Sequence, residues 1–548
     1  MSLLPWGMRF TIQSFYANMR QICSVQVGRL LYMSRIDGIR NYRLSERMKL
    51  TIYSVVFWGV LAHLYMYMNR ILNNDSVHTL MYKSGTTITS GRWFLQILVE
   101  IANRFNNNYI TPWGIGAVVL MIYAVCACIL VKTFDIKSRS LCCILGALLI
   151  TYPTVTSNNL YIFTAHYYAF AFLLACGSVL LVSSFRTLPA VLGSSLMITL
   201  SLGIYQAYLP FILSMYVLLI LLRCLRPEAE TADIIRTALR FLAALIGGLI
   251  LYFVINRCFL RLTDSAMNAY MGLDTMGRID PASIPSILGK CYSSFFGLFR
   301  EEYHGINHKP WLRIVMVLGC LFAAAAIVYL ILKNRTRAVH AAFIGVAVLL
   351  LPVAIGAIYI MTQSEDAVCT MTVYATIFVF ILPICMTDRL QLQLTVNRAF
   401  ALKACLCVAL GSVCFYYSSL ANETYLGLEY ANQNANAYFT ELAAQIKSLD
   451  GFSTEYQVAL LGRIQDESVP QIECDYIIRG TDSPADLLNV YSREYFMTMH
   501  CGYSCSFAEN TEALLNDERV QAMPNYPSDG SICIIDDIIV VKFSDTPH

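Results

Sequence analysis

The chain is a succession of long apolar runs separated by short polar connections, and few folds can absorb that pattern. A helix needs about 20 apolar residues to cross the hydrocarbon core of a bilayer. Runs of that order, some slightly shorter, fall near 51–69, 113–131, 141–157, 160–184, 187–204, 206–222, 241–260, 311–332, 341–361, 371–387 and 401–421. In lipid every backbone polar group must be paired internally, so about eleven such runs predict an all-α polytopic bundle. Charged residues make up only 14% of the chain, against about 25% in a soluble domain. A soluble enzyme, a disordered chain and a nucleic-acid binder are all excluded.

The net charge of +3 is small, so charge placement carries the information. With the N-terminus inside, the inside loops hold Lys132, Lys137 and Arg139; Arg186; Arg223, Arg226, Arg236 and Arg240; Lys333, Arg335 and Arg337; Arg389 and Arg398. The short outside connections 158–159, 205 and 362–370 hold no Lys or Arg. This is the alternation expected of cytoplasmic and outer loops. An odd number of spans puts the C-terminus outside. Residues 1–50 carry eight Lys/Arg against two acids and read as a basic cytoplasmic arm with some surface-lying helix, without a signal peptide.

Residues 51–421 therefore form the membrane domain, and the composition turns soluble near 422. Residues 422–548 read as an outer α+β domain. A helix is expected over 429–448, with further helical stretches near 484–500 and 509–520. Strands are expected at Gln457–Arg463, Tyr476–Arg479, Ser531–Ile535 and Ile538–Phe543, the last two joined by an Asp536-Asp537 turn. Cys474, Cys501, Cys505 and Cys533 lie in this domain, where three disulfide pairings are open to them. Two long outer loops, 70–112 and 261–310, each carry an amphipathic stretch, at 93–105 and 284–299. Both are expected to lie along the outer surface.

No P-loop, dinucleotide fingerprint or HExxH motif is present, and no inside loop is long enough to hold a nucleotide sugar. The spacing of Cys501, Cys505 and His500 is poor for zinc, so no cofactor is called for; a divalent metal is possible but unsupported. The spans contain essentially no Asp or Glu, which argues against an ion-coupled transporter. His63 and His166 sit among aromatics and read as structural.

The polar chemistry gathers outside. Asp75 is the first acid after the first span. A partly desolvated carboxylate there can take a proton from an attacking sugar hydroxyl while a phosphate leaves. Arg92, Arg70 and Lys83 can hold that phosphate, because a charged donor offsets the developing charge. Arg300, Glu301, Glu302 and His304 in the second long loop are weaker candidates, as are Asp264, Asp274, Asp280, Glu365 and Asp366. Each has an equally ordinary reading as a solvated loop or helix-end residue.

Three stretches resemble the bacterial type II Gtr membrane glucosyltransferases. They are Asn74-Asp75 followed by Ser90-Gly91-Arg92-Trp93; Gly203-Ile204-Tyr205-Gln206-Ala207-Tyr208-Leu209-Pro210; and Met523-Pro524-Asn525-Tyr526-Pro527 with Gly530-Ser531-Ile532 and Val540-Val541-Lys542. The resemblance runs from about residue 50 to the end. It is similar in turn to the wider GT-C class of membrane glycosyltransferases. It implies a bacterial plasma-membrane enzyme that moves a hexosyl unit, glucosyl by the family, from a polyprenyl-phosphate-linked donor to a cell-surface glycan on the outer face. It also implies an essential acid in the first outer loop, which is Asp75 here, with Tyr205 and Gln206 lining the cleft. Many GT-C members carry two neighbouring acids at that point; here the preceding residue is Asn74. The expected partners are the lipid-linked donor, the glycan acceptor and membrane lipid, with no nucleic acid. A lipid-linked glycan translocator, a polysaccharide polymerase or ligase, and a surface receptor are the competing readings.

Overall fold

The computed structural model describes residues 44–79, 86–106, 110–278, 280–362, 364–464, 492–508 and 511–546. The bundle, the sheet and every candidate site residue among the described residues belong to one compact unit, Leu50–His548. Most of the basic arm, Lys83, Cys474 and the expected strand 476–479 lie outside the described residues.

Hydrophobic runs become helices where they were expected. In chain order they are α1 (Glu46–Met68), the short α2 (Asn74–Thr79), α3 (Trp93–Asn106), α4 (Pro112–Phe134), α5 (Arg139–Thr151), α6 (Pro153–Leu160), α7 (Ile162–Ser184), α8 (Leu188–Ile204), α9 (Leu209–Cys224), α10 (Thr231–Leu262), α11 (Ile284–Arg300), α12 (Pro310–Lys333), α13 (Ala338–Ile355), α14 (Phe378–Leu390) and α15 (Val396–Lys447). Among the described residues nine helical segments are long and apolar enough to cross a membrane, counting α5–α6 as one. The protein is a multi-pass membrane protein. Two of the eleven expected spans correspond to shorter helices, the 17-residue α8 and the 13-residue α14.

Local chemistry sets the helix ends. The residue before a proline is pushed out of helical geometry, and Tyr152 before Pro153 (φ −58, ψ 137) separates α5 from α6. Residues 158–159, expected as an outer connection, are instead the end of α6. At the end of α4 Asp135 adopts a left-handed conformation (φ 55), its N–H returning to Lys132 O at 3.3 Å.

The basic loops meet at one end of the bundle. Asp388 accepts hydrogen bonds from the backbone of Lys137 (3.0 Å) and Ser138 (2.8 Å). Arg240 Nη1 donates to Phe185 O at 3.2 Å, Asn334 Nδ2 to Leu225 O at 3.2 Å and Lys333 Nζ to Gln393 O at 2.8 Å. The loops assigned to the other side are likewise joined to one another. Asn268 N donates to Thr89 O (2.9 Å), Thr275 Oγ1 to Thr362 O (3.2 Å) and Thr370 Oγ1 to His304 O (2.9 Å).

The composition change at 422 does not interrupt the last helix. α15 runs for 52 residues, roughly 78 Å at 1.5 Å per residue. Its C-terminal half enters the core of the α+β domain: Phe439, Leu442 and Ile446 pack with Val458, Leu460, Ile539, Val541, Phe496 and Met497. The sheet has the order β2-β1-β4-β3, with β1 (Gln457–Leu461), β2 (Ser506–Phe507), β3 (Ile532–Ile535) and β4 (Ile538–Lys542). β1 runs parallel to β2 and β4, and β3–β4 is the expected hairpin. Its turn residues Asp536 and Asp537 are both left-handed (φ 49 and 64), as a two-residue hairpin turn requires. A helix at Arg493–Met499, here α16, covers part of the region expected to be helical over 484–500. Cys501, Cys505 and Cys533 are free thiols.

Candidate functional site

Two of the stretches singled out in the sequence interlock in space. Ser90 and Gly91 form the turn that leads into α3, with Gly91 at φ +73. Tyr252 Oη, from α10, donates to Gly91 O at 3.0 Å. Gln206 Nε2 donates to Ser90 O at 2.8 Å and to Tyr252 Oη at 3.1 Å. Asn268 adds Nδ2 to Ser90 Oγ at 3.1 Å. There is no room for a side chain at Gly91: a Cβ would lie 2.7 Å from Tyr252 Oη and 2.9 Å from Gln206 Nε2. One residue past Arg92, Trp93 stacks on Phe259 (centroids 5.5 Å apart). It fits because Gly203 lacks a Cβ, which would come within 2.9 Å of the indole.

This clamp aims Arg92. Its guanidinium carbon lies 5.1 Å from the centroid of the Tyr205 ring, and Nη1 donates to Tyr168 Oη at 3.1 Å. Tyr205 in turn stacks on Tyr168 of α7 at 4.3 Å. A half-buried cation over an aromatic face is a strong anchor for an anion. Arg92, Tyr205 and Gln206 are thus brought together. Tyr168, Tyr252 and Asn268 join them from 76, 161 and 178 residues beyond their partners in the chain. No local spacing marks those three, because each sits in an ordinary span or loop.

Asp75 lies on α2, a six-residue helix capped by Asn73, whose Oδ1 accepts from Ser76 N (2.8 Å) and Ser76 Oγ (2.6 Å). The flanking apolar residues Leu72 and Val77 belong to the same core as Phe439, Phe496 and Met497 of the α+β domain. α2 also packs on α7 and α16. The Asp75 side chain is exposed, at the seam between that domain and the helical bundle. α7 is the element shared by this seam and the Arg92 clamp. Around the same elements, Asn73 Nδ2, Asn74 Oδ1, Ser157 Oγ and Asn158 Oδ1 are buried without a hydrogen-bond partner among the described residues. Buried groups of this kind are ordinarily met by an ordered water.

Other candidates lie elsewhere. Arg70 is exposed and acts electrostatically on His500, whose pKa is held below the ordinary value by burial first and by Arg70 second. Arg300, Glu301, Glu302 and His304 are exposed around the end of α11. There Arg300 O accepts from Arg313 Nη1 (2.8 Å) and Glu302 pairs with His308 (3.2 Å); none of these contacts reaches Arg92. The third sequence stretch organises the α+β domain around Lys542. The side chain of Lys542 is buried, with Nζ donating to Met523 O at 2.8 Å, while its backbone O accepts from Tyr526 N at 2.7 Å.

The model of the glucosyl transferase GtrII family matches residues 64–382, more than half of the chain. The chain belongs to the GtrII glucosyl transferase family. No curated protein and no solved structure matches it. The GtrII match covers Asp75, α7 and every residue of the Arg92 clamp, and stops before α15 and the α+β domain. Membership implies glycosyl transfer by a membrane-embedded enzyme.

Proposed function

We propose that this GtrII chain transfers a glucosyl unit from a polyprenyl-phosphate-linked donor to a cell-surface glycan, on the side of the membrane that bears the α+β domain, in a bacterial plasma membrane with the N-terminus cytoplasmic. The observation that carries the reading is the Arg92 clamp. It holds a cation over the Tyr205 ring and hydrogen-bonded to Tyr168 Oη, on the side of the bundle to which the long polar loops belong. In this reading Arg92 receives the donor phosphate, and Arg70 and Lys83 of the same outer loop are supplementary cations. Asp75 takes the proton from the acceptor hydroxyl as that oxygen attacks the anomeric carbon. The bond from that carbon to the phosphate oxygen breaks, and the electron pair leaves with the lipid phosphate. The chemistry calls for no metal or nucleotide cofactor.

The test is transfer of labelled glucose from polyprenyl phosphate in membranes containing the full chain, alongside mass analysis of surface polysaccharide. Asp75→Asn is expected to lower transfer by about a hundredfold or more, in the range typical of a general base. Full transfer by Asp75→Asn overturns the assignment.

A further inference from the structure

At the end of the bundle opposite the Arg92 clamp lies a cavity of about 290 Å³ that the proposed reaction does not use. Its charged lining is Lys132, Arg223, Arg226, Arg389 and a single acid, Asp135, with leucines such as Leu222 on its wall. We propose that this cavity binds the phosphodiester headgroup of an anionic phospholipid.

Basic residues are expected at this end by topology alone, so the argument rests on their convergence. Four cations face one carboxylate, a net of +3. Asp135 is shared, at 3.5 Å from Arg226, 3.7 Å from Arg389 and 3.9 Å from Lys137, too spread to neutralise any one of them. Asp233, behind the cavity wall, reaches Arg223 only at 3.4 Å and is also paired with Arg186. The competing account is that the cations cap helix C-termini. Arg389 Nη2 does reach Phe134 O (3.1 Å), and Arg223 Nη2 reaches Ser183 O (3.3 Å). Three C-termini, those of α4, α7 and α9, converge here. At roughly −0.5 charge each they amount to about −1.5. Both carboxylates and the three helix ends together come to about −3.5 against +4, and each carboxylate is also drawn to a cation outside the lining, Lys137 for Asp135 and Arg186 for Asp233, so positive charge is left in excess for an anion. Cations gathered between transmembrane helices around a headgroup-sized recess are the arrangement that selects anionic lipid. The leucine side of the wall suits the glycerol and the first carbons of the acyl chains.

The experiment is native mass spectrometry of the purified full chain in detergent, titrated with phosphatidylglycerol, with phosphatidylcholine and with inorganic phosphate. The wild type is expected to retain phosphatidylglycerol selectively. The exposed pair Lys132→Gln/Arg226→Gln removes two cations without touching the better-buried Arg223 and Arg389, and is expected to weaken that binding about tenfold or more. A size-exclusion profile matching the wild type controls for folding, and Arg226→Lys, which keeps the charge, is expected to retain most of the binding. Equal retention of the two lipids overturns the proposal, as does undiminished phosphatidylglycerol binding by the double variant. Binding of inorganic phosphate with no lipid preference overturns the lipid assignment.

Discussion

Gly91 is the residue on which the site geometry turns. Its positive φ is costly for any other residue, by about 1–3 kcal/mol. A Cβ there would also displace Tyr252 and Gln206. Gly91→Ala is therefore expected to raise the donor KM by more than about tenfold by re-aiming Arg92. Gly289→Ala is the counter-case. Gly289 lies inside α11, has a helical φ, and a methyl group placed on its Cα would meet nothing within 4 Å. Alanine is there expected to leave transfer intact and to stabilise by about 0.5–1 kcal/mol. Parallel transfer assays and thermal unfolding of the two variants distinguish the outcomes. His500 gives a pH dependence with a definite sign. Its folded pKa is lowered from 6.5, so the unfolded chain takes up the proton first and stability falls as pH drops below 6.5. Burial raises the Glu494 carboxyl, a contribution of opposite sign in the acid range. Hydrogen exchange in α16, corrected for intrinsic rate, is expected to be faster at pH 6 than at pH 7.5, and His500→Gln is expected to flatten the difference.

At the scale of elements, legibility followed periodicity. The helices at 93–105 and 284–299 were readable because apolar residues recur at steps of three and four, and the β3–β4 hairpin because its turn is Asp-Asp between apolar runs. α6 was not readable as a unit. Thr154, Ser157, Asn158 and Asn159 are polar yet buried, and a buried polar helix leaves no amphipathic signature. The continuity of α15 through 422 was hidden for a related reason. Asn422 reads as the start of a soluble segment, but its Nδ2 donates to Ser418 O (2.7 Å) and to Leu61 O (2.9 Å), so the polar side chain is satisfied against α1 without ending the helix. Parallel pairing of β1 with β4 depends on contacts across 80 residues and has no local signal. Beside the apolar packing of Leu72 and Val77 against Phe439, a hydrogen bond ties α15 to the first outer loop: Asn432 Nδ2 donates to Leu72 O at 2.7 Å, just before the cap of α2. Asn432→Ala removes that tie at the cost of a single hydrogen bond, about 1 kcal/mol. If α15 positions Asp75, the variant is expected to lower kcat severalfold with an unchanged donor KM and a near-normal unfolding temperature.

For the whole molecule, alternation of loop charge was legible because it is a property of the entire chain, and the loops assigned to one side do meet at one end of the bundle. Arg92, by contrast, gains its setting from α7 and α10, whose tyrosines look like any others in an apolar run. The sidedness of the α+β domain rests on α14. Between Arg335 and Asp529 lie α13, α14 and α15; α13 and α15 are long and apolar enough to cross, so the two positions fall on opposite sides of the membrane only if α14 crosses as well. α14 has 13 residues, about 20 Å of helix against about 30 Å of hydrocarbon. The deficit is made up by the stretch before it. Thr370 is bonded to His304 O at the site end, a 3-10 turn at Tyr374–Ile377 comes next, and α14 delivers Asp388 to the backbone of Ser138 at the basic end. Irregular backbone is tolerated at membrane depth where protein surrounds it, and Tyr374 through Phe378 are all buried. That path sets the expected outcome of an epitope test. Epitopes inserted at the exposed positions Arg335 and Asp529 are to be probed by antibody before and after permeabilisation of spheroplasts. The Asp529 epitope is expected to be reached at once and the Arg335 epitope only after permeabilisation. Both epitopes appearing on one side would mean that α14 turns back within the bilayer, placing the α+β domain with the basic loops and removing Asp75 from the outer face.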